Sequence, residues 1–406
     1  MWLFFYRMLL KTKAAGWRVF FMHPLTFAAM NPSDILTHLP LLLFYLFCTV
    51  TAIQVFYYLF FFLRLALFTS KQKSTSQTHA VSVIVCARDE AANLVKNLPG
   101  ILVQEYPSTH EVIVVNDNSF DDSKYVLEEL HRRFRQLQVV ELKQEAKLIQ
   151  GKKFPLSVGI KTAKHEILLL TDADCVPASE HWIQKMQQAY DDSTEIVLGY
   201  GAYHKKPGLL NKLIRWETFH TALQYLSYAL AGLAYMGVGR NLSYRKTIFF
   251  RHKGFSAHNH VASGDDDLFI NTAATRANTR ICIDPDTFTL SNAPKSWSNW
   301  MRQKSRHYST GRYYKPLHQF LLGLYALTHF LFYPVCIASM LLYCWEYTLA
   351  VLGLKLLLQL FIFYPVMKKL NEKDLFPFIL LFDIWMFMYY FIFSFALFKK
   401  PRGSWK

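Results

Sequence analysis

The stretch ILLLTDADCVP, residues 167–177, decides the fold class of this chain. It begins as an apolar run typical of a buried strand and ends on two carboxylates, Asp172 and Asp174. Two earlier stretches, VSVIVCARDE (81–90) and EVIVVNDNS (111–119), repeat this pattern of an apolar strand followed by a polar, acid-containing turn. Each of these acidic clusters therefore follows the carboxyl end of a predicted strand.

Helical segments separate these strands along the chain. They are predicted after the first strand through Leu102, near 121–135 and at GKKFPLSVGIKTA (151–163), while LQVVELK (137–143) is a further predicted strand. Strands alternating with helices indicate a parallel, doubly wound α/β sheet. In such sheets ligands bind outside the carboxyl ends of the strands, which is where the acids lie.

The composition points to a membrane protein. Of the 406 residues, 52% are hydrophobic and 16% are aromatic, which is high for a soluble enzyme. The net charge of +16 suits anionic phospholipid or an anionic substrate, and because the basic residues cluster beside apolar segments we expect no nucleic-acid partner. The six cysteines lie far apart without a C-x-x-C pair, which argues against a zinc site or a disulfide framework and fits a reducing compartment.

Apolar segments flank a large polar block. Residues 39–68 contain enough consecutive apolar residues for one transmembrane helix. The region 316–406 holds about three more candidates, at about 319–341, 347–366 and 375–397. Residues 1–38 are basic and aromatic without the pattern of a signal peptide, so they predict an interfacial amphipathic segment; a wrongly assigned start codon is the alternative.

The block at 80–315 is predicted to be one cytosolic domain that ends in an interfacial helix near 295–315. Lysines flank the membrane segments on the side predicted to be cytosolic: Lys71, Lys73, Lys368, Lys369 and Lys373. The basic tail KKPRGSWK would lie on the opposite side if the last apolar segment crossed the membrane. Either that segment does not span simply or the number of spans differs.

The pair Asp172-x-Asp174 is the first candidate site. In an extended chain residues i and i+2 point the same way, so both carboxylates can face one ion. Hard oxygen ligands of this kind suit Mg²⁺ or Mn²⁺, which usually combine a few carboxylates with substrate phosphate oxygens. Taken alone, the same pattern is also typical of a solvated turn capped by aspartate.

Two more clusters follow the earlier strands. Asp117 ends the second strand, and the group from Arg88 to Glu90 ends the first, although each could be an ordinary turn or helix cap. Lys152 follows Gly151 at the start of a predicted helix, whose N-terminus favours anions; a surface lysine is the alternative.

Two clusters lie nearer the second apolar region. SGDDDLF contains Asp265, Asp266 and Asp267 before an apolar helix, and three adjacent acids repel one another, which raises the pKa of at least one and suits a general base. A charged helix N-terminus is the alternative. QKSRHYSTG, which begins at Gln303, is either part of a site or a basic helix that flanks the membrane.

The order of these motifs resembles that of the membrane-bound family 2 glycosyltransferases, relatives of the cellulose, chitin, hyaluronan and ceramide-glucosyl synthases. The matching motifs are A-R-D-E (87–90), N-D-N-S (116–119), G-K-K-F-P-L (151–156), D-A-D (172–174), D-D (265–266) and Q-K-S-R-H (303–307). The resemblance covers about residues 80–315. It implies a GT-A fold, a Rossmann-like α/β domain with a mixed sheet, joined here to transmembrane α-helices.

The resemblance also implies roles for individual residues. Donor contacts would come from Arg88, Glu90, Asp117, Lys152, Asp172 and Asp174. Asp174 would bind Mg²⁺ or Mn²⁺, with Asp172 as the second candidate ligand. Asp266 would be the catalytic base, with Asp265 in the place of the usual glutamate. Contacts to the acceptor or the diphosphate would come from Gln303, Arg306, His307, Arg240 and Asn241.

Two positions depart from the family pattern. Asn116 replaces the first acid of the usual D-D turn, and His307 stands where a tryptophan usually stacks on a growing sugar chain. Loss of the indole disfavours a processive polymer synthase. We therefore expect one or a few sugars to be added.

Together these features predict a membrane-bound, inverting glycosyltransferase. It would move a sugar from a nucleotide-sugar donor, a UDP-sugar by family resemblance, to a hydroxyl of a lipid or glycan acceptor. Its expected location is the cell membrane, multi-pass, with the catalytic domain in the cytoplasm. The alternatives are a processive polysaccharide synthase and a non-catalytic membrane subunit that binds sugar nucleotide; the polar block is too large for a transporter.

Overall fold

The computed structural model describes residues 32–69, 79–143, 151–261 and 263–394. Residues 1–31 of the predicted interfacial segment, as well as Lys71, Lys73 and the basic tail, lie outside the described residues. Residues 32–38 belong to the first helix, which therefore begins before the predicted boundary at residue 39.

The catalytic block folds around a seven-stranded mixed sheet. In chain order the strands are β1 (Val81–Ala87), β2 (His110–Asp117), β3 (Leu137–Leu142), β4 (Ile167–Asp172), β5 (Cys175–Pro177), β6 (Ile196–Leu198), β7 (Gly201–Tyr203), β8 (Leu242–Arg245), β9 (Thr279–Ile281) and β10 (Thr289–Ser291). The main sheet has the order β3-β2-β1-β4-β8-β6-β9, and a small sheet has the order β5-β10-β7. The four strands β3, β2, β1 and β4 are parallel, whereas β8 is antiparallel to both neighbours.

Helices cover both faces of this sheet and continue into a membrane-like bundle. In chain order they are α1 (Pro32–Tyr57), α2 (Leu63–Leu67), α3 (Ala91–Leu102), α4 (Ser123–Arg133), α5 (Lys153–Thr162), α6 (Trp182–Gln187), α7 (Leu209–Leu230), α8 (Lys246–Arg251), α9 (Asp267–Ala273), α10 (Trp297–Tyr308), α11 (Pro316–Leu342), α12 (Trp345–Lys369) and α13 (Ile379–Ser394). A π-helical turn, Tyr58–Phe62, joins α1 to α2. The first strands and helices thus occur where the sequence predicts them.

Strand β1 shows why the central strands are apolar on both faces. All seven of its residues are buried, because helices pack on each side of the sheet. Val83 belongs to the apolar cluster that includes Leu98 of α3, whereas Ile84 belongs to the opposite cluster with Leu156 of α5. The parallel register of β1 with β2 and β4 brings their carboxyl ends to one edge of the sheet.

Within the described residues, four helices are long and apolar enough to cross a membrane: Thr37–Leu67, Pro316–Leu342, Trp345–Lys369 and Lys373–Phe393. Helices α1, α11 and α12 pack against one another, and Ser339 near the end of α11 bonds Thr348 near the start of α12 at 2.9 Å. Lys369 at the end of α12 donates to the carbonyl of Leu65 at 3.0 Å, so α12 returns to the end where the first helix meets the catalytic domain.

Helix α13 packs against both the catalytic domain and the neighbouring apolar helices. Near its start the ring of Phe382 lies 5.5 Å from Trp216 of α7, and near its end Phe393 stacks on Tyr308 of α10 at 5.5 Å. Asp383 of α13 also pairs with Lys355 of α12 at 2.9 Å, so α13 connects the helical bundle to the catalytic domain. Whether this last apolar segment crosses the membrane stays a prediction.

Buried ion pairs connect the catalytic domain to the segment before α13. Arg215 of α7 is 2% exposed at its side chain; it donates to Glu372 and, at 2.6 Å, to Asp374. Lys205 also pairs with Asp374 at 3.0 Å, and the hydroxyl of Tyr200 donates to Glu372 at 3.2 Å. Because buried charges are stable only when paired, this network sets the position of α13 relative to α7.

Candidate active site

A cavity of about 1190 Å³ opens at the carboxyl edge of the central sheet. Its wall combines the end of β4, the loop before α9, and parts of α7, α10 and α11. Among the predicted site residues it includes Glu90, Lys152, Asp172, Asp174, Arg240, Asp265, Asp266, Gln303, Arg306 and His307. The tertiary fold thus brings together residues separated by more than two hundred positions in the sequence.

The end of β4 provides a paired-carboxylate site. Oxygens of Asp172 and Asp174 and the sulfur of Cys175 lie within 4.8 Å of one another. Lys152 donates to Asp172, and although burial acts in the other direction, its ammonium group holds the pKa of Asp172 below the usual range. Burial and the negative charge of Asp172 raise the pKa of Asp174. The carboxylate of Asp172 is therefore already paired with the ammonium group of Lys152.

The donor set fits a hard divalent cation. Mg²⁺ and Mn²⁺ are commonly held by one or two carboxylates together with substrate phosphate oxygens, and both carboxylates here border an open cavity. The thiol of Cys175 is a soft ligand and hydrogen-bonds to Asp174 at 3.4 Å, so we do not assign it to the metal. Asp174, which has no lysine partner in the described residues, is the better placed ligand.

Arg240 supplies positive charge opposite the carboxylates. Its guanidinium lies 4.3 Å from the ring centre of Tyr203 and donates to Ser291 at 3.0 Å. Its carbonyl accepts hydrogen bonds from Thr171 and Thr289, both at 2.9 Å, so main chain and side chain are both held. Sequence reasoning did not single out Tyr203, since stacking between residues so far apart is visible only after folding.

Asp266 lies at the N-terminus of α9 with a defined orientation. It accepts hydrogen bonds from the backbone N–H groups of Gly239 at 2.7 Å and Asp267 at 2.8 Å. Burial, reinforced by the charges of Asp265 and Asp267, raises the pKa of Asp266 to about 7. A carboxylate with this pKa can take up a proton near neutral pH, as a general base must.

Asp267 holds the acidic loop against the segment that follows α10. Its carboxylate accepts hydrogen bonds from the hydroxyl groups of Thr310 and, at 2.7 Å, Tyr314. The side chain is buried, which explains why it orients the loop although it is not one of the predicted site residues. The STG sequence after His307 contained Thr310, but nothing in its spacing indicated this contact.

Gly264 permits the turn that presents the three acids. Its φ angle is +94°, and a Cβ atom there would lie 2.5 Å from Cδ1 of the buried Leu268. We expect Gly264→Ala to destabilise the protein by about 1–3 kcal/mol more than Gly208→Ala, through overpacking. Gly208 is the matched control because its φ is +104° and its added Cβ meets nothing within 4 Å. Thermal unfolding in detergent measures the difference, and equal melting temperatures would contradict the steric explanation.

Helix α10 lies along the cavity beside α7. Lys304 pairs with Glu217 of α7 at 2.5 Å, which orients the helix. The Oε1 atom of Gln303 is buried and has no hydrogen-bond partner among the described residues, so it can accept a hydroxyl hydrogen from a ligand. The His307 side chain is exposed to the open cavity, and desolvation, together with the charges of Lys304 and Arg306, lowers its pKa.

Three of the predicted site residues do not line this cavity. Asn241 is fully buried and donates to the carbonyls of Tyr200 at 3.0 Å and Thr287 at 2.6 Å. Its amide connects three segments of the protein, so the structure gives Asn241 a structural role, and the predicted contact with the acceptor or the diphosphate stays untested. Arg88 and Asp117 follow or end β1 and β2, beside the cavity rather than in its wall, so their donor contacts stay predictions.

Comparison with known proteins identifies the family. The model of "Glycosyltransferase like family 2" matches residues 79–310, more than half of the chain. The chain belongs to this family. The fold is correspondingly GT-A: a mannosyltransferase from Pyrobaculum calidifontis in complex with GDP-Man and Mn²⁺ superimposes with a TM-score of 0.53, covering 85% of this chain and 98% of that one at 17% identity. The likeness to that mannosyltransferase concerns the fold alone.

Curated relatives of this glycosyltransferase match it over shorter regions. A beta-monoglucosyldiacylglycerol synthase from Nostoc sp. is 33% identical over 101 residues, which is 25% of this chain and 21% of the relative. A probable glycosyltransferase from Bacillus subtilis is 24% identical over 237 residues, 56% of this chain and 54% of the relative. A poly-beta-1,6-N-acetyl-D-glucosamine synthase from Staphylococcus epidermidis is 30% identical over 141 residues, or 33% and 32%. The matched regions thus span a fifth to about half of these relatives.

Proposed function

We propose that this glycosyltransferase moves a sugar from a nucleoside-diphosphate sugar to a hydroxyl group, with inversion at the anomeric carbon. The observation that supports this proposal most directly is that one cavity contains both the Asp172–Asp174 pair and Asp266, whose pKa is raised to about 7. The first group suits a cation bound to a diphosphate, and the second suits proton removal. UDP-sugars are the first donors to test, on the family resemblance.

The reaction is a single displacement. The acceptor oxygen forms a bond to the anomeric carbon while the bond from that carbon to the diphosphate oxygen breaks, and the nucleoside diphosphate leaves with the electron pair. Asp266 takes the hydroxyl proton, and its hydrogen bond from Gly239 holds the carboxylate in place. Gln303 accepts a hydrogen bond from the ligand through its unpartnered Oε1.

Positive groups face the position of the leaving diphosphate. Arg240 and Arg306 line the cavity near Asp172, and both lower the pKa of that carboxyl. Preorganised charges of this kind stabilise the transition state more than they would in water. A divalent cation held by Asp174, with Asp172 as second ligand, would neutralise charge that develops on the diphosphate.

The residue at position 307 supports addition without processive synthesis. His307 lines the cavity and offers hydrogen bonds but lacks the large flat surface of an indole. A catalytic domain on the cytosolic side of a membrane, held by α1, α11 and α12, is part of the same proposal. It is supported by the lysines at the catalytic end of α12 and by the length and hydropathy of these helices.

The pH dependence of turnover tests the role of Asp266. Its base form is the unprotonated one, and its pKa of about 7 lies above the usual value. We therefore expect kcat/KM to fall by about tenfold per pH unit below this pKa and to level off above it. A profile of kcat/KM at saturating metal measures this, and the inflection should disappear in Asp266→Asn. An inflection that persists in that variant would assign the titration to another group.

The experiment for the proposed function is release of nucleoside diphosphate by detergent-purified protein. UDP- and GDP-sugars are screened with Mn²⁺ or Mg²⁺, with and without membrane lipid extract. We expect metal-dependent release with one donor and stimulation by an acceptor. Asp192→Asn, a change at an exposed carboxyl outside the cavity, should behave as the unchanged protein. Binding of a sugar nucleotide without turnover under all conditions would favour the non-catalytic alternative.

A further inference from the structure

The cavity does not end at the catalytic groups but continues along α11. Beyond Gln319 its wall is formed by α11 and α13 on one side and by α7 on the other. The apolar residues from α11 and α13 are Leu322, Gly323, Ala326, Leu327, Phe330 and Phe391, and Tyr390 of α13 and Gln224 of α7 lie beside them. The whole cavity, about 1190 Å³, is larger than the roughly 300–1,000 Å³ of most small-molecule sites.

We infer that this extension, the α11–α13 groove, holds the hydrocarbon chain of a lipid alcohol whose hydroxyl group is the acceptor. The inference rests on the proposed glycosyl transfer and names its acceptor class. One continuous cavity connects Asp266 to the groove, so a molecule with a polar head at Asp266 has its apolar part against α11. The α11 side of the groove is apolar, and the amide of Gln224 on the opposite side donates to the hydroxyl of Tyr390, so the groove suits a hydrocarbon better than a sugar chain.

The dimensions of the groove match one leaflet of a bilayer. From Gln319 to Phe330 an α-helix rises about 16 Å. This is close to half of the hydrocarbon thickness of a membrane, about 30 Å. The groove is therefore about as long as a hydrocarbon chain that reaches from the catalytic end of α11 to the middle of a bilayer.

The groove is also open towards the side on which lipid would lie. Leu327 of α11 is 53% exposed and Phe391 of α13 is 48% exposed. Phe391 lies 6.0 Å from Phe330, so the two helices meet behind the groove. Because α13 lies along the catalytic domain, it forms one wall of a lateral entrance through which a lipid can reach the cavity without leaving the membrane.

Gly323 provides a way to fill the groove without disturbing the protein. A Cβ atom built there meets nothing within 4 Å, and the same holds for Gly353 on α12, which does not line the cavity. Gly323→Ala and Gly323→Leu therefore form a graded series, with Gly353→Ala and Gly353→Leu as matched controls. Binding of the sugar nucleotide and the melting temperature report whether each variant is folded.

The first measurement is turnover with a long-chain diacylglycerol and with its short-chain, water-soluble analogue. We expect Gly323→Leu to lower kcat/KM for the long-chain acceptor by at least about tenfold, mainly through KM, and Gly323→Ala by less. The short-chain analogue should lose less, and both Gly353 variants should stay within about twofold of the unchanged protein. Equal loss for both chain lengths, or no loss in Gly323→Leu, would overturn the inference.

The second measurement does not require turnover. The full chain in phosphatidylcholine nanodiscs is cross-linked by a diacylglycerol that carries a diazirine on one acyl chain, and labelled peptides are mapped by mass spectrometry. We expect saturable labelling of α11 between residues 319 and 330 and of α13 near Phe391, reduced in Gly323→Leu and kept in Gly353→Leu. Uniform labelling of all apolar helices would indicate contact with bulk lipid and would contradict a specific lipid site in the α11–α13 groove.

The two measurements separate the groove from the proposed function. Saturable labelling of the groove without turnover of any donor would contradict the glycosyl transfer and leave a lipid site. Turnover with a soluble glycan, combined with no specific labelling, would support the transfer and overturn the lipid acceptor. Extension of that glycan into a polymer would favour the processive alternative. This result, too, would overturn the lipid acceptor.

Discussion

Asp266→Asn is expected to lower kcat by about 10²–10⁴-fold, the usual contribution of a general base. Asparagine has nearly the same shape, and its single amide oxygen can keep the hydrogen bond that Gly239 donates at 2.7 Å while the one from the Asp267 N–H is lost. It cannot take up the acceptor proton, however, so the transition state loses stabilisation while the bound substrates do not. Steady-state release of nucleoside diphosphate gives kcat, and the KM for the donor should change little.

Two further variants make this prediction specific. Asp265→Asn removes a neighbouring charge from the same loop, but Asp265 is not the carboxylate that Gly239 holds. Asp265→Asn should therefore lower kcat by less than Asp266→Asn does. Near-normal turnover of Asp266→Asn would show that Asp266 is not the base. A greater loss in Asp265→Asn would move the role to that residue.

Asp174→Asn is expected to lower turnover by at least about 100-fold at a metal concentration that saturates the unchanged protein. Even partners that only orient a metal ligand cost 10–100-fold when mutated, so loss of a direct ligand should cost more. Asp174 is the carboxylate without the lysine partner that Asp172 has in Lys152. Titration of Mn²⁺ against initial rate, together with calorimetry of the nucleotide sugar, separates loss of metal binding from loss of donor binding.

Cys175→Ser is the matched control for the metal site. The thiol lies in the same cluster as the two carboxylates, yet Mg²⁺ and Mn²⁺ prefer oxygen ligands. Its replacement should leave the metal dependence within a few fold of normal. If Asp174→Asn kept its metal response and Asp172→Asn lost it, the metal would belong to Asp172. A reaction that is unaffected by chelators in the unchanged protein would contradict a metal role altogether.

Much of the catalytic fold could be read from local patterns. The strands β1, β2 and β4 are apolar because both of their faces are buried. Each strand therefore appears in the sequence as an uninterrupted run of apolar residues. The acids that follow these strands could be assigned to one edge of the sheet because parallel strands end on the same side. For residues that enter the cavity from later segments, such as Gln303, the local pattern left a membrane-flanking helix equally open, and only the family resemblance gave them a role.

Other features depended on contacts that no local pattern reports. Asn241 was predicted as a ligand contact from the family resemblance, but its NH2 group donates to the carbonyls of Tyr200 and Thr287 and its Oδ1 accepts from Trp182. Asp267 looked like one acid of three, but Thr310 and Tyr314 turn it into an anchor for the loop. A polar residue is structural or functional according to what lies around it, and its neighbours here come from segments far away in the chain.

The apolar segments show the same division. Hydropathy and length are local properties, so the amino-acid sequence was sufficient to predict four membrane-like helices and the domain between the first and the second. Whether such a helix crosses a bilayer or lies beside a domain depends on what it packs against. The contacts of α13 with Trp216 and Tyr308 and the joining of the Asp266 cavity to the α11–α13 groove were visible only in the tertiary structure, because both arise when distant helices meet.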